Sequence, residues 1–545
     1  MKKLNNNKFF LFRKNILSHE KNSIPTKREG LLSIALVFPN SYAVGMSNLG
    51  FQTVYRLFNE FSGVKCERAF YYTDFPSVSK TLESNKELRD FDVVAFSISF
   101  ELDFPNLVQI LINAGITPLS SNRHFREPMI IAGGAVSFLN PTPLALFIDM
   151  FVIGELEPQL NTLLGSFFNL KKEKFQKAEI LQSLNSKQGF YVPELFDPKK
   201  QVQKVHFFLE DQKPQYSPII SQDSHFKNMF LTEVGRGCGR RCNFCAASHI
   251  YYPFRIFPVE RIMETIQIYC KETRRIGLIG SAISDYPGID ELCGQLVGEG
   301  YELGLSSFRL DKITPSFIKN LERGKVKTVT FAPEAGTERM RKLIHKNLSH
   351  RQIIEATEVI RDSIIHQIKL YFLIGLPGET WDDVEGIVNL VEEMQQVFFK
   401  AGKQKKITVS VNTFIPKPFT PFQWSTMEQS KEIRRKRKFL NTQIKNIKGV
   451  QISPKSTKDE LLQGIFSLGD HNVGLAIYYK ITEKLDWQKA WIKAGVDINQ
   501  ILFSSKKHEE SMPWNFIQTG IKKENLWKIW ERTNRAAKGI VEKKL

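Results

Sequence analysis

Gly235-Arg-Gly-Cys238-Gly-Arg-Arg-Cys242-Asn-Phe-Cys245-Ala-Ala-Ser-His-Ile-Tyr-Tyr252 is the stretch on which the reading of this 545-residue chain turns. It sets three thiols at the spacing CxxxCxxC on a Gly- and Arg-rich loop, directly after the apolar run Met229 to Val234. Such thiols can hold three corners of a cubic iron-sulfur cluster, whereas ferredoxin-type clusters take four Cys ligands. With no fourth Cys nearby, the last iron is left open to a small molecule. Two other readings compete: a zinc site, which needs four N or S ligands and would have to recruit His249, and three unpaired structural thiols. Arg236, Arg240 and Arg241 suit the cluster, because cations offset the charge of thiolates. They also read as ordinary solvated loop charges.

Working outward, the composition is that of a globular protein, 42% apolar and 24% charged, and the length allows two or three domains with substantial cores. The formal net charge of +19 favours polyanionic partners such as RNA, the ribosome or an anionic membrane surface. Of six Cys, three lie outside the loop: Cys66, Cys270 and Cys293 sit in apolar surroundings and read as small buried thiols. This usage fits a reducing cytoplasm rather than a disulfide framework. Met1 to Arg28 shows no signal-peptide pattern, and no apolar run approaches the roughly 18 to 20 residues of a membrane span.

The fold class expected is α/β. In the N-terminal third, strands at Ser33 to Phe38, Val93 to Ile98, Met129 to Ala132 and Asp149 to Ile153 alternate with helices at Leu49 to Phe61, Leu107 to Ala114 and Pro158 to Phe168. That alternation predicts a doubly wound parallel sheet, with any ligand at the carboxyl ends of the strands. After the cysteine loop the alternation resumes through Thr413 as six β/α repeats, a partial TIM-like barrel whose chemistry belongs at its carboxyl-terminal strand ends. The segments are expected at 1–30 (basic tail), 31–177 (Rossmann-like domain), 178–226 (connector), 227–424 (barrel) and 425–545 (basic helical region). Within the last, Arg434-Arg-Lys-Arg-Lys438 circles a helix instead of forming one stripe and suits RNA or ribosome contact. The Pro-dense Asn412 to Trp424 cannot be a ladder strand. It reads as a stiff lip whose aromatics either stack on a ligand or cover the barrel's open edge.

With Phe244 before the third Cys, the loop resembles the signature of the radical S-adenosylmethionine (SAM) superfamily. The resemblance implies a 4Fe-4S cluster on Cys238, Cys242 and Cys245, SAM chelated to the open iron, and reductive cleavage of SAM to a 5'-deoxyadenosyl radical. Leu373-Ile-Gly-Leu-Pro-Gly-Glu-Thr380 and Phe331-Ala-Pro-Glu-Ala-Gly336 are similar to other superfamily elements. SAM contacts are thus expected at Glu334 and at Gly375, Leu376 and Pro377, with Glu379 more structural than catalytic. The Gly-Gly-Glu usual at the second strand end is absent, leaving Ser281 or Asp285 in its place. Arg309 either pairs with the SAM carboxylate or with Asp311.

The strand-closing Ala-Gly-Gly134 and Ile-Gly-Glu155 resemble the cobalamin-binding domain that precedes the barrel in one branch of the superfamily. Asn40, Ser41, Tyr42, Gly133, Gly134, Gly154 and Glu155 are the implied cobalamin contacts. The DxHxxG motif is missing, so a vestigial domain that binds nothing is the alternative. Together with Pro513-Trp-Asn-Phe-Ile-Gln-Thr-Gly520, these elements look like a bacterial family of cobalamin-domain radical SAM proteins with no assigned reaction. The expected activity is methyl transfer to an unactivated carbon of an RNA or ribosomal component, with flavodoxin or ferredoxin as electron donor. The alternatives are cobalamin-independent radical chemistry, such as methylthiolation or rearrangement, and an RNA-binding protein that keeps its cluster without catalysis. Methylthiolation would call for three further Cys in the N-terminal domain, which holds only Cys66.

Overall fold

The computed structural model describes residues 2–22, 24, 27, 29–75, 77–171, 176–209, 212–402, 405–454 and 456–542. The N-terminal sheet contains β1 (Leu32–Phe38), β2 (Val64–Phe70), β3 (Val93–Ser97), β4 (Met129–Gly133), β5 (Met150–Val152) and β6 (Phe190–Tyr191). Their order is β2-β1-β3-β4-β5-β6, with only β6 antiparallel. Side chains alternate across a strand, so β1 sends Ile34 and Leu36 into one core and Ala35 and Val37 into another. Helix α2 (Leu49–Glu60) covers the first face and α3 (Phe104–Asn113) the second.

Two elements here depart from expectation. Strand β2 carries Lys65, Glu67 and Arg68, which interrupt its apolar pattern. The fold neutralises them in place: Lys65 pairs with Glu67 at 2.8 Å, and buried Arg68 pairs with Glu20 at 2.7 Å and Glu83 at 2.6 Å. The basic tail of 1–30 contains a helix, α1 (Lys2–Ser18), anchored by buried Phe9 and Ile16 in the core of the N-terminal domain. Met1 and Arg28, also within that segment, lie outside the described residues.

The barrel sheet comprises β7 (Phe230–Glu233), β8 (Arg275–Ile279), β9 (Glu302–Leu305), β10 (Thr328–Glu334), β11 (Gln367–Ile374), β12 (Lys406–Thr413) and β13 (Val450–Ser453), all parallel. A single bridge from Phe308 to Phe331 joins β7–β9 to β10–β13. The seventh strand extends the six expected repeats beyond residue 424. Its crossover helices include α4 (Glu338–Leu343), α5 (Trp381–Lys400) and α6 (Ser430–Lys445). Helix α6, the expected start of a separate basic region, is therefore a barrel helix.

The remaining C-terminal helices fold back on the N-terminal domain. Phe466, Ile477 and Trp491 share one core with Phe96 and Phe104, and Asn140 donates to the carbonyls of Ser467 and Gly469. The Pro513 to Gly520 motif acts as a staple. Trp514 Nε1 donates to Gln423 Oε1 at 2.9 Å, the Pro513 carbonyl accepts from Thr142, and Ile517–Gln518 pairs with Val202–Gln203. Under this layer Phe414, Phe422 and Trp424 are fully buried. The Pro-dense lip thus covers the barrel edge, and these rings are closed to a stacking ligand.

Candidate functional site

Leaving β7, the chain pairs Gly235–Arg236 with Arg255–Ile256, which brackets the cysteine loop at its base. Gly237 has φ of +81°, and a Cβ there would fall 2.4 Å from the Tyr251 carbonyl oxygen, so only Gly passes. Cys242 is buried, Cys238 and Cys245 are half-buried, and all are free thiols. Burial pushes the Cys242 thiol up to about 12 and raises Cys238. Among the described residues, no three His, Cys, Asp or Glu side chains are grouped to hold a metal ion. A zinc ion would draw its sulfurs to about 2.3 Å from one centre. His249 Nδ1 lies 2.8 Å from the Cys245 carbonyl oxygen, and burial pushes its pKa down to about 4, which keeps the ring neutral. A cubane takes one thiolate per iron and does not require the three sulfurs on one centre.

Charged side chains surround the thiols, already paired. Arg240 makes a bidentate contact with Asp285 at 3.0 Å to each oxygen. Arg309 pairs with Asp311 at 2.9 Å and donates to the Lys346 carbonyl at 3.2 Å. Asp285 and Arg309 are thus committed to internal partners, the second of the two roles open to Arg309. Glu334 sits where the β10–β11 register shifts, with φ of +70°, and accepts from Lys346 Nζ at 3.2 Å. Burial raises the Glu334 pKa, and the Lys346 charge partly offsets this. The same pair acts electrostatically on Cys242, as Asp285 and Arg309 do on Cys238. Lys346 is the residue that sequence reasoning missed. It lies between His345 and Asn347, both at positive φ, and no spacing rule marks it.

Beside this group lies the Gly375 to Gly378 loop, whose glycines have φ of +77° and +78°. Gly375 N donates to Glu379 Oε2 at 2.7 Å, and Lys436 of α6 donates to Glu379 and Glu428, each at 2.7 Å. Leu376 is buried with Ala335, Phe414 and Phe422, and Phe244 of the cysteine loop packs on the same cluster. Pro377 is half-buried. Asn243 fastens the far side: its N donates to the Ile344 carbonyl, and its Nδ2 to the Leu343 carbonyl and to Thr533 of α7 (Lys523–Glu542).

A cavity of about 460 Å³ separates the two sheets. Gly133, Gly134, Gly154 and Glu155 line one wall, and Gly235, Arg236, Gly237, Gly280 and Ser281 line the other. Both walls are carboxyl-terminal strand ends, so the sheets face each other by their ligand-binding edges. A Cβ on Gly134 would come 2.5 Å from the Ile98 carbonyl oxygen. Ser97 and Ser99, at the carboxyl end of β3 where the strand pattern places a ligand, also line this space, as do Asn48 and Thr53. Glu155 is tied by Arg255 at 2.7 Å, while Arg236 reaches Glu157 at 2.5 Å and Glu233 at 2.7 Å.

Asn40, Ser41 and Tyr42 are not among the residues lining that cavity. Asn40 donates to Asp103 and accepts from the Ser41 amide, and the Tyr42 hydroxyl donates to Glu20 while its ring packs on Phe70. These bonds hold Asn40 and Tyr42 to Asp103 and Glu20 within the N-terminal part of the chain.

The cysteine loop, its strand-end charges and the paired sheets define a protein class. Residues 50–193 match the model of the radical SAM proteins' N-terminal domain and residues 232–391 that of the radical SAM superfamily. An uncharacterised protein of Methanocaldococcus jannaschii is 30% identical over 450 residues, 82% of this chain and 91% of that protein. The chain belongs to the radical SAM superfamily and is an enzyme of that class. A tRNA-2-methylthio-N(6)-dimethylallyladenosine synthase of Haemophilus influenzae is 27% identical over 183 residues, which is 30% of this chain and 38% of that enzyme. Among solved structures, the radical SAM methyltransferase TsrM of Kitasatospora setae, with tryptophan and a SAM analogue bound, superimposes with a TM-score of 0.50. It is 12% identical and the match covers 72% of this chain and 75% of that one, a likeness of fold. No helix among the described residues is long and apolar enough to cross a membrane.

Proposed function

We propose that this is a cobalamin-dependent radical SAM enzyme of the cytoplasm that methylates an unactivated carbon of an RNA or ribosomal component. The observation that carries this reading is the single cavity bounded by the cysteine-loop base on one side and by Gly133, Gly134 and Gly154 on the other. Cys238, Cys242 and Cys245 would each hold one iron, and Gly133, Gly134 and Gly154 line the space where the corrinoid would lie. When bound, the reduced cluster supplies the electron that cleaves SAM and a corrinoid supplies the transferable methyl group; flavodoxin or ferredoxin is the proposed source of that electron.

The chain's own residues do the rest. Arg240 and Arg309 fix Asp285 and Asp311 beside the thiols and so keep the loop's charge balanced. Glu334, held by Lys346, presents a carboxylate that can accept from ribose hydroxyls or an ammonium group. Leu376, with Phe244 and Phe414, forms an apolar wall that excludes water next to it. The buried Arg236 group locks the two cavity walls at a fixed separation.

Anaerobic reconstitution with iron and sulfide, followed by dithionite and SAM, should yield 5'-deoxyadenosine. Loading with hydroxocobalamin should leave a corrinoid absorbance that survives gel filtration. No corrinoid retained, with 5'-deoxyadenosine still formed, rejects methyl transfer by that cofactor. Mass spectrometry of nucleosides and ribosomal peptides from a deletion strain and its parent then identifies the acceptor class.

A further inference from the structure

The basic run of α6 is split by the fold into two functions. Lys436 is buried against Glu379 and Glu428, and Arg437 is tied to Glu460 at 2.5 Å. What remains outside is Arg434, Lys438, Asn441 and Lys445, all exposed. Their spacing of four, three and four residues places them on one helical face, along about 16 Å of axis at 1.5 Å per residue. Among the described residues, no carboxylate pairs with Arg434, Lys438 or Lys445. The one acid of the helix, Glu432, is turned to Arg435 at 3.5 Å. The stripe borders a shallow groove with Arg437 and Thr442. On the adjoining face of the helix Trp381 is 36% exposed, with the Arg435 guanidinium 4.7 Å over its ring and Phe439 as its other contact.

We infer that this stripe is a binding surface for the phosphodiester backbone of single-stranded RNA, with Trp381 and Arg435 on the adjoining face stacking against a base turned out beside it. Cations interleaved with amide and hydroxyl side chains match phosphate and ribose oxygens. An aromatic ring and a guanidinium offer faces that any base can stack on. An anionic membrane surface fits less well, because interfacial helices bury an apolar face in the headgroups, and here Ile433, Leu440 and Ile444 are spent in the barrel core. Lys436 faces the Gly375 to Gly378 loop from the opposite side of the same helix, so the stripe lies on the outer face of the barrel and would anchor the RNA outside the mouth. The inference deepens the function proposed above by naming RNA as the substrate class, and it rests on that reading.

The test is fluorescence anisotropy with a fluorescein-labelled, mixed-sequence single-stranded RNA and the reconstituted full-length protein, across a salt series. Combined Arg434→Glu, Lys438→Glu and Lys445→Glu should raise Kd by on the order of tenfold to fiftyfold and lower the slope of log K against log salt by about 2, since each phosphate contact contributes about 0.7 for single strands. Trp381→Ala should weaken binding with the slope unchanged. A control with Lys271→Glu, Lys319→Glu and Arg323→Glu should stay within about twofold of the parent. The inference is overturned if the parent does not bind, if the stripe variant matches the control, or if it loses binding to phosphatidylserine vesicles and not to RNA. 5'-Deoxyadenosine formed with dithionite and SAM in the absence of RNA should be equal in parent and stripe variant. Failure of that product in the parent sinks the radical SAM reading of the mouth, and RNA binding separately decides the stripe.

Discussion

The barrel's strand ends carry thiols, carboxylates and guanidinium groups, whereas the facing edge of the N-terminal sheet carries Gly133, Gly134 and Gly154 backed by Leu36, Ala95 and Val152. The cavity itself is met on the barrel side by Glu233, Gly235, Arg236, Gly237, Gly280 and Ser281 and on the other by these glycines with Glu155 and Glu157, so the thiols belong to the barrel edge and not to the cavity lining. On the barrel side Asp285, Arg309, Glu334 and Lys346 already neutralise one another. A site arranged in this way is stable without ligand, because no buried charge stands alone. On the opposite side Gly134 and Gly154 are required by close backbone approach, since a Cβ would fall 2.5 Å from the Ile98 carbonyl oxygen and 2.2 Å from that of Val205. The difference teaches that the two edges should fail separately.

The largest effect should come from the barrel edge. Cys242→Ala should abolish cluster retention, read as iron and sulfide content after reconstitution, and drop 5'-deoxyadenosine to background while the circular dichroism spectrum is kept. Gly133→Val sharpens the contrast from the other side. A Cβ at Gly133 would lie 3.8 Å from that of Val152, so the fold should hold while the added methyls enter the cavity. Corrinoid uptake should fall about tenfold or more, as overpacking costs about 1–3 kcal/mol, and 5'-deoxyadenosine should still form. Loss of both together would mean that the edges are not independent.

Arg236 joins the walls, and its removal leaves Glu157 and Glu233 without their main buried partner. Arg236→Ala should cost about 3–5 kcal/mol, the usual result of breaking a buried ion group, measured by thermal or denaturant unfolding. A smaller effect is tied to pH. Burial raises Glu379 to about 7 from 4.5, with Lys436 opposing the shift. The folded state therefore binds more protons than the unfolded one across that interval, so the stability this group contributes is full below about 4.5 and is lost as pH rises toward 7. The melting temperature of the parent should fall more over this interval than that of Glu379→Gln. The smallest effect belongs to Thr533→Val. Asn243 keeps its bond to the Leu343 carbonyl, so the loss should be about 1 kcal/mol.

Much of the chemistry was legible in the chain because it is local. The thiol spacing, the Gly375 to Gly378 turn and the glycines closing β4 and β5 depend on neighbours a few residues away, and the structure puts them where those patterns point. Strand β2 was not legible, because Arg68 interrupts its apolar pattern and is neutralised by Glu20, 48 positions earlier in the chain. Lys346 was hidden for the same reason: its partner Glu334 is brought to it by a bend in β10. The partners of Asn40 and Tyr42 were likewise hidden, because Asp103 and Glu20 lie far from them in the chain.

By itself the sequence determined the alternation of strands and helices, the three-thiol loop and the excess of positive charge. Only the tertiary structure decided which of those charges are spent inside and which face solvent, and that the glycine edge of the N-terminal sheet meets the base of the cysteine loop across one cavity. The physical reason is that periodicity and ligand spacing are fixed within a few turns of chain, whereas the partner of a charge is set by whatever the fold carries to within about 4 Å of it, where Coulomb attraction outweighs the loss of water.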